Sequence, residues 1–267
     1  MRGNTMDYWQ KRLAASQLAL TDKNRKQIEK QLKKYYGAAA NRIIEDFERT
    51  YEKIESMREQ GKEPTPADLY KLDKYWQAQG QLRRELQKLG EREVATMTKI
   101  FEINFFDIYY SFSLEGAKPF NTIDKMGAYQ IINQIWCADG KTWSQRIWDN
   151  IELLAETLNE ELIHCVSSGK RITDLKNLLQ ERFGVSYSRA DALVRTELAH
   201  IQTQAAKQRY EDYGLEQYEF LADTDERTCS VCASLDGKRF KYAEMIEGKN
   251  APPIHPNDRC CIVPVID

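Results

Sequence analysis

The sequence predicts a mainly α protein with a small α+β module at its C-terminal end: a long-helix N-terminal body followed by a metal-stapled, β-rich tail. Over the first four-fifths of the chain, apolar residues recur every three or four positions, the period of an amphipathic helix. After Gly214 the pattern changes to the alternation typical of strands, as in 217–221. We therefore expect a long-helix region over 1–120, a second helical part over 121–214 and a small β-rich module over 215–267.

The helical part contains recognisable start and stop signals. An apolar stripe over 28–54 predicts one long helix. The pair Thr65-Pro66 predicts the start of the next, with threonine as N-cap and proline at the first helical position. Trp76 is expected on the buried side of that helix. Gly90 and Gly184 are expected to interrupt or end helices.

The β-rich part is predicted from three short signals. Residues 217–221 alternate like a strand, and Asp236-Gly237 is typical of a hairpin turn that 239–240 could follow. The run 261–266 predicts a last short strand. Its proline favours an edge position, because proline cannot donate to a strand ladder.

Composition excludes a membrane span and favours an intracellular protein. Of the 267 residues, 42% are hydrophobic and 30% are charged, and no stretch approaches the roughly 20 apolar residues that a span needs. The N-terminus lacks the pattern of a signal peptide, so we expect a cytoplasmic location, where cysteines tend to bind metal rather than form disulfides. Residues 1–36 carry nine basic and three acidic side chains. This segment could contact nucleic acid, although such a pattern is more often a solvated helix face.

Cysteine spacing near the C-terminus predicts a metal site. Four of the six cysteines lie within 33 residues, as Cys229-x2-Cys232 and later His255-x4-Cys260 followed by Cys261. Thiolate and imidazole ligands at this spacing can close a tetrahedron around zinc. We therefore predict a structural Zn²⁺ held by Cys229, Cys232, His255 and Cys260. The spacing does not distinguish zinc from iron, although sulfur and imidazole ligands favour zinc.

A second group of residues could carry chemistry. Glu197 and His200 are three positions apart on the last long helix and so share a face, and Asp225 precedes the first cysteine. These three residues could serve a metal-dependent nuclease or hydrolase. Alternatively, Glu197 and His200, together with Arg195, brace the small module against the helix. No common catalytic motif such as H-E-x-x-H is present.

The order of these residues resembles one known family. The matching residues are Arg195-Thr196-Glu197, Asp225-x-Arg227-Thr228-Cys229-x2-Cys232, Leu235-Asp236-Gly237 and Pro253-x-His255-Pro256-x2-Arg259-Cys260. Over about residues 150–267 the chain resembles the phage head morphogenesis family, the minor head proteins similar to protein F of phage Mu. The family often has a cysteine where this chain has Asp258. Cys260 then takes the fourth ligand position, with Asp258 or Cys261 as possible substitutes.

The resemblance implies a structural protein rather than an enzyme. Its relatives associate with the portal and capsid or scaffold proteins during head assembly, in several copies around a portal ring, and some take part in DNA packaging or ejection. The protein is expected in the finished phage head, and in the host cytoplasm while the head is being assembled. No membrane partner is implied.

Overall fold

A computed structural model describes residues 8–266, so the first seven residues of the basic segment lie outside the described part. The fold is mainly helical with one small antiparallel sheet, which confirms the predicted fold class. The helices are α1 (Tyr8–Glu59), α2 (Pro66–Tyr70), α3 (Asp73–Tyr109), α4 (Lys125–Ile132), α5 (Trp143–Ser167), α6 (Ile172–Asp212) and α7 (Ser230–Leu235). The strands are β1 (Gln217–Leu221), β2 (Arg239–Lys241) and β3 (Cys261–Pro264). None of the described helices is both long and apolar enough to cross a bilayer.

The sheet has the strand order β2-β1-β3, with both pairs antiparallel. Tyr218 in the central strand faces Phe240 on one side and Pro264 on the other. Pro264 therefore lies in an edge strand, as its missing N–H requires. Gly237 follows Asp236 in a left-handed conformation (φ 71°), but the predicted hairpin turn was wrong. Asp236 caps the end of α7, and the whole segment 222–238, with this helix inside it, lies between β1 and β2.

The described residues divide into two compact units that are each discontinuous in sequence. The first unit comprises residues 8–28, 97–143 and 192–266, and the second comprises 29–96 and 144–191. The first unit contains the whole sheet and the end of α6. The division at residues 120 and 214 expected from the sequence stays a prediction.

In the first unit the start of α1 packs on the sheet. Ala14 forms a buried apolar cluster with Leu221, Cys261 and Val263. The buried Gln10 side chain donates a hydrogen bond to the Pro264 carbonyl at 3.2 Å. The N-terminal turns of the chain are therefore part of the core that supports the C-terminal strands.

In the second unit, Gly90 lies inside α3 and does not interrupt it. A Cβ atom at this position would lie 2.5 Å from the Trp148 ring, so the glycine allows the ring to approach the helix backbone. The prediction that Gly90 breaks a helix was therefore wrong. Its absent side chain makes room for packing, although glycine costs helix stability.

Two further expectations about the helices were wrong. Gly184 does not end a helix, because α6 continues through it from residue 172 to 212. Buried Leu179 and Phe183 before the glycine and Ala190 after it keep the helix packed. Trp76 is 60% exposed, and its indole N–H donates to the Tyr70 carbonyl rather than entering the core.

Candidate metal centre and its contacts with helix α6

The two cysteines of the Cys-x2-Cys motif are positioned by a single helix start. Cys229 is the N-cap residue of α7, and its Sγ accepts a hydrogen bond from the Cys232 N–H at 3.3 Å. That hydrogen bond lowers the pKa of the Cys229 thiol from its ordinary value. Since α7 begins immediately after Cys229, its first turn brings Cys232 back beside Cys229. The sequence spacing thus produces a pair of neighbouring sulfur ligands.

His255 completes a three-ligand group with this pair. The ligand atoms of Cys229, Cys232 and His255 all lie within 4.8 Å of one another. The Cys232 Sγ to His255 Nε2 distance is 3.6 Å. Zinc bonds of about 2.3 Å to sulfur and about 2.0 Å to nitrogen, at tetrahedral angles, place these two atoms roughly 3.6 Å apart. The spacing of these two atoms therefore fits a shared zinc ion.

The other imidazole nitrogen of His255 is held by the backbone. Its Nδ1 donates to the Pro256 carbonyl at 2.9 Å. Histidines that bind metals commonly donate the second ring N–H to a carbonyl or carboxylate, which fixes the tautomer and the ring orientation. The contact leaves Nε2 available on the side of the sulfur atoms.

Two residues are near enough to provide a fourth ligand. Cys232, Asp258 and Cys260 form a second group whose ligand atoms lie within 4.8 Å of one another. The Asp258 carboxylate accepts backbone hydrogen bonds from Ile254 at 2.7 Å and from Cys260 at 2.9 Å. Both oxygens of Asp258 thus already hold the loop in place, while the Cys260 thiol is packed beside Cys232.

Cys261 lies in a different environment from Cys260. It packs with Ala14, Leu221 and Val263, whereas Cys260 packs with Phe220 and Cys232. This is the separation expected where a strand begins, because successive side chains point to opposite faces. Burial raises the pKa of the Cys261 thiol to about 12. Cys261 is therefore a core residue of the sheet.

The turn before Cys229 is held by local hydrogen bonds and by one long-range ion pair. The Asp225 N–H donates to Thr228 Oγ1 at 2.8 Å, and the Thr228 hydroxyl donates to the Asp223 carbonyl. Arg259 binds both oxygens of Asp225, at 2.8 and 2.7 Å. The Arg259 guanidinium holds the pKa of Asp225 well below its usual range. Asp225 therefore ties the turn to the segment that carries Cys260.

Glu197 and His200 share a buried face of α6, but their partners come from two distant loops. Glu197 accepts a hydrogen bond from the Trp136 indole at 3.0 Å, and the Trp136 ring stacks on His200 with ring centres 4.6 Å apart. His200 Nδ1 contacts the Glu247 carboxylate at 2.8 Å. Glu197 is 1% exposed and His200 is 0% exposed. This group of four residues, called the His200 cluster below, holds α6 to the tail.

These contacts favour the bracing interpretation of Glu197 and His200 over the catalytic one. The sequence predicted a brace here but not its partners, because Trp136 and Glu247 are far from α6 in the sequence and belong to no recognisable motif. Thr196 adds a second brace, since its Oγ1 accepts a hydrogen bond from the Asn257 N–H at 3.3 Å. Helix α6 therefore contacts two loops of the tail, 244–251 and 253–259.

The comparison with known proteins finds a family match over the part of the chain that contains this site. Residues 156–263 match the model of the family described as Phage Mu protein F like protein. The matched segment begins in α5, ends in β3 and includes Cys229, Cys232, His255 and Cys260. The family predicted from the motifs is therefore confirmed for this segment. No curated protein and no solved structure matches the chain.

Proposed function

We propose that this chain is a minor head protein that associates with the portal during head assembly. The proposal rests on the match of its C-terminal segment to the Phage Mu protein F like family. The observation that carries the proposal is the family match over residues 156–263, which spans the candidate metal centre and most of the His200 cluster. In this role the protein resides in the phage head and passes through the host cytoplasm during assembly, and it takes part in DNA packaging or ejection.

An exposed apolar surface on the first unit supports binding to a protein partner. Met126 and Tyr129 on α4 are 64% and 58% exposed, and they line a cavity of about 450 Å³ with Ile132. The side chains of Lys125 and Glu102, 3.8 Å apart, lie at the rim. Contiguous apolar surface with a charged rim is typical of protein interaction sites.

Co-expression with the portal protein of the same phage tests the proposal. We expect a complex that co-purifies and elutes as one species in size-exclusion chromatography. Met126→Asp combined with Tyr129→Asp should abolish it, whereas Leu153→Asp, at another exposed apolar position, should not. Failure of the unaltered chain to associate with the portal would remove the portal role.

We further propose that Cys229, Cys232, His255 and Cys260 hold a structural zinc ion. The support is the two overlapping groups of ligand atoms that share Cys232. When bound, zinc would cross-link α7 to the segment before β3 and contribute to the folding free energy of the tail. Four protein ligands leave no coordination position for water, so the site would be structural.

The basic segment at the start of the chain is proposed as a non-specific DNA contact. Lys30, Lys33 and Lys34 are exposed on α1, whereas Gln17 and Asn24 are buried in the first unit. Removing residues 1–36 would therefore damage the core, so the appropriate variant replaces the three lysines by glutamate. Binding of duplex DNA that weakens steeply with salt and disappears in this variant would support the contact. Unchanged binding would contradict it.

A further inference from the structure

Four helices of the second unit meet at a buried group of polar side chains around Glu93. Glu93 lies on α3 and is 0% exposed. Its Oε2 atom accepts a hydrogen bond from the Tyr36 hydroxyl of α1 at 3.1 Å. The Asn150 amide of α5 donates to the Tyr36 oxygen at 3.1 Å and to the Ser186 carbonyl of α6 at 3.0 Å. These four residues, called the Glu93 junction below, connect all four helices by hydrogen bonds.

Glu93 lacks the cation that normally accompanies a buried carboxylate. No lysine, arginine or histidine among residues 8–266 pairs with it, and its hydrogen-bond partner is the Tyr36 hydroxyl. An ionised Glu93 would therefore be compensated by one neutral donor. Burying a charge with so little compensation is costly, so the protonated carboxyl is the form that suits this position.

The other titratable groups at the junction, within the described structure, are tyrosines. Tyr187 of α6 packs edge-on against the Tyr36 ring, with ring centres 5.7 Å apart. Burial raises the pKa of Tyr36 well above its usual range, so its hydroxyl stays neutral near neutral pH. The charged side chains closest in sequence to the four junction residues are all exposed: Lys34 on α1, Arg92 on α3, Asp149 on α5 and Arg189 on α6.

The junction has one hydrogen-bond donor too few when Glu93 is ionised. The hydroxyl hydrogen of Tyr36 and both amide hydrogens of Asn150 already have acceptors. Two buried acceptor atoms, Glu93 Oε1 and Asn150 Oδ1, have no hydrogen-bond partner among the described residues. The Ser186 hydroxyl, which is unpartnered there as well, has a single hydrogen and can satisfy one of them. A proton on Glu93 supplies the missing donor.

Burial changes the acidity of Glu93 in the same direction. It raises the pKa of Glu93 to about 7, although the hydrogen bond from Tyr36 opposes the shift. A group whose pKa is higher in the folded chain than in the unfolded chain stabilises the fold fully below its unfolded pKa. That stabilisation is lost as the pH rises through the folded pKa. We therefore expect the second unit to be more stable in mild acid than in mild alkali.

We propose that Glu93 is a proton-sensitive joint of the second unit, protonated while the four helices are packed and loosening their packing when its proton passes to the solvent. The joint goes beyond the proposed role in head assembly, since three of its four residues lie before the segment that the family model matches. It also involves no residue of the candidate metal centre.

Hydrogen–deuterium exchange of the full chain tests the joint, with each rate divided by the intrinsic rate at the same pH. Protection over 32–39 and 89–97 should fall roughly ten- to hundredfold between about pH 5 and about pH 8. Glu93→Gln keeps the shape of the side chain but cannot ionise, so it should remove this fall. Glu91→Gln, at an exposed position of the same helix, is the matched control and should retain it.

Tyr36→Phe separates titration from packing. Its hydroxyl stabilises the carboxylate, so removing it should raise the pKa of Glu93 further and move the midpoint of the fall to higher pH. A packing role alone would lower protection at every pH and leave the midpoint in place. If Glu93→Gln does not fold, the direction of this shift decides the question. A fall that persists in folded Glu93→Gln, or a midpoint that Tyr36→Phe leaves unchanged or lowers, would overturn the proposal.

Discussion

The metal centre lies within the tail and the His200 cluster joins the tail to α6, and the two polar groups differ in which atoms satisfy their hydrogen-bonding capacity. In the His200 cluster the protein itself provides the partners: Glu247 for the imidazole and the Trp136 indole for Glu197, at 2.8 and 3.0 Å. In the metal centre the contacts are made by sulfur atoms, at 3.3 and 3.6 Å. Thiols are weak donors and weak acceptors. The first cluster is thus complete as a protein structure, while the second would be completed by the proposed zinc ion.

The burial of the thiols strengthens this contrast. Burial raises the pKa of Cys232 to about 12 and also raises the pKa of Cys260. An apolar environment of this kind disfavours the thiolates unless a cation compensates their charge. The tail should therefore be held to α6 with or without zinc, while its own internal order should depend on the metal. Four experiments test this division.

The largest effect is expected from loss of the metal. Zinc binding contributes on the order of 10 kcal/mol in small zinc domains, so Cys232→Ser or a chelator should loosen the segment after Gly214. Limited proteolysis should then cleave within 215–267 and leave the helices intact by circular dichroism. Elemental analysis should find one zinc per chain in the unaltered protein and none in Cys232→Ser.

The control for this experiment is Cys137→Ser, at a cysteine outside both ligand groups. It should retain both zinc and protease resistance. If Cys232→Ser is as resistant to protease as the unaltered protein, the metal does not order the tail, and the contrast between the two clusters is lost.

The next experiment identifies the fourth ligand. Cys260→Ser should lower zinc affinity by more than the roughly ten- to hundredfold typical of residues behind the ligands. Cys261→Ser changes the adjacent thiol, which packs with Ala14 and Val263, and should retain the metal. If Asp258→Asn abolishes zinc binding while Cys260→Ser does not, Asp258 is the ligand and the sequence-based assignment is wrong.

Local patterns were predictable from the sequence, and long-range contacts were not. The Cys229-x2-Cys232 spacing and the Thr65-Pro66 helix start act within a few residues, so their geometry follows from backbone rules. His200 and Glu247 are 47 positions apart, and Trp136 and Glu197 are 61 apart. No periodicity relates such pairs, because only the tertiary fold brings them together.

The two misjudged glycines have the same explanation. Glycine in a helix costs about 1 kcal/mol relative to alanine, which is a weak preference. At Gly90 that cost is offset by the close approach of the Trp148 ring. At Gly184 the helix continues because buried residues on both sides, such as Phe183 and Ala190, keep it packed. Tertiary packing thus overrides a local break signal.

A smaller effect is expected from opening the His200 cluster. Glu247→Ala leaves the fully buried His200 ring without its carboxylate partner, which should cost about 1–3 kcal/mol. Hydrogen–deuterium exchange should quicken over 244–251, while zinc content stays the same. Glu244→Gln, an exposed acid in the same loop, serves as the control and should leave exchange unchanged. Loss of zinc in Glu247→Ala would show that the two clusters are coupled.

The smallest effect is expected at the exposed pair of Arg259 and Asp225. Each side chain is 36% exposed, so water and salt weaken the ion pair, in contrast to the buried contact of His200 with Glu247. Arg259→Lys removes the two-point contact and should quicken exchange over 223–229 only slightly. The difference from the unaltered protein should vanish in about 1 M salt, where the screening length is about 3 Å. If Arg259→Lys speeds exchange as much as Glu247→Ala does, this surface pair, rather than the metal, holds the turn of Cys229 against the segment of Cys260.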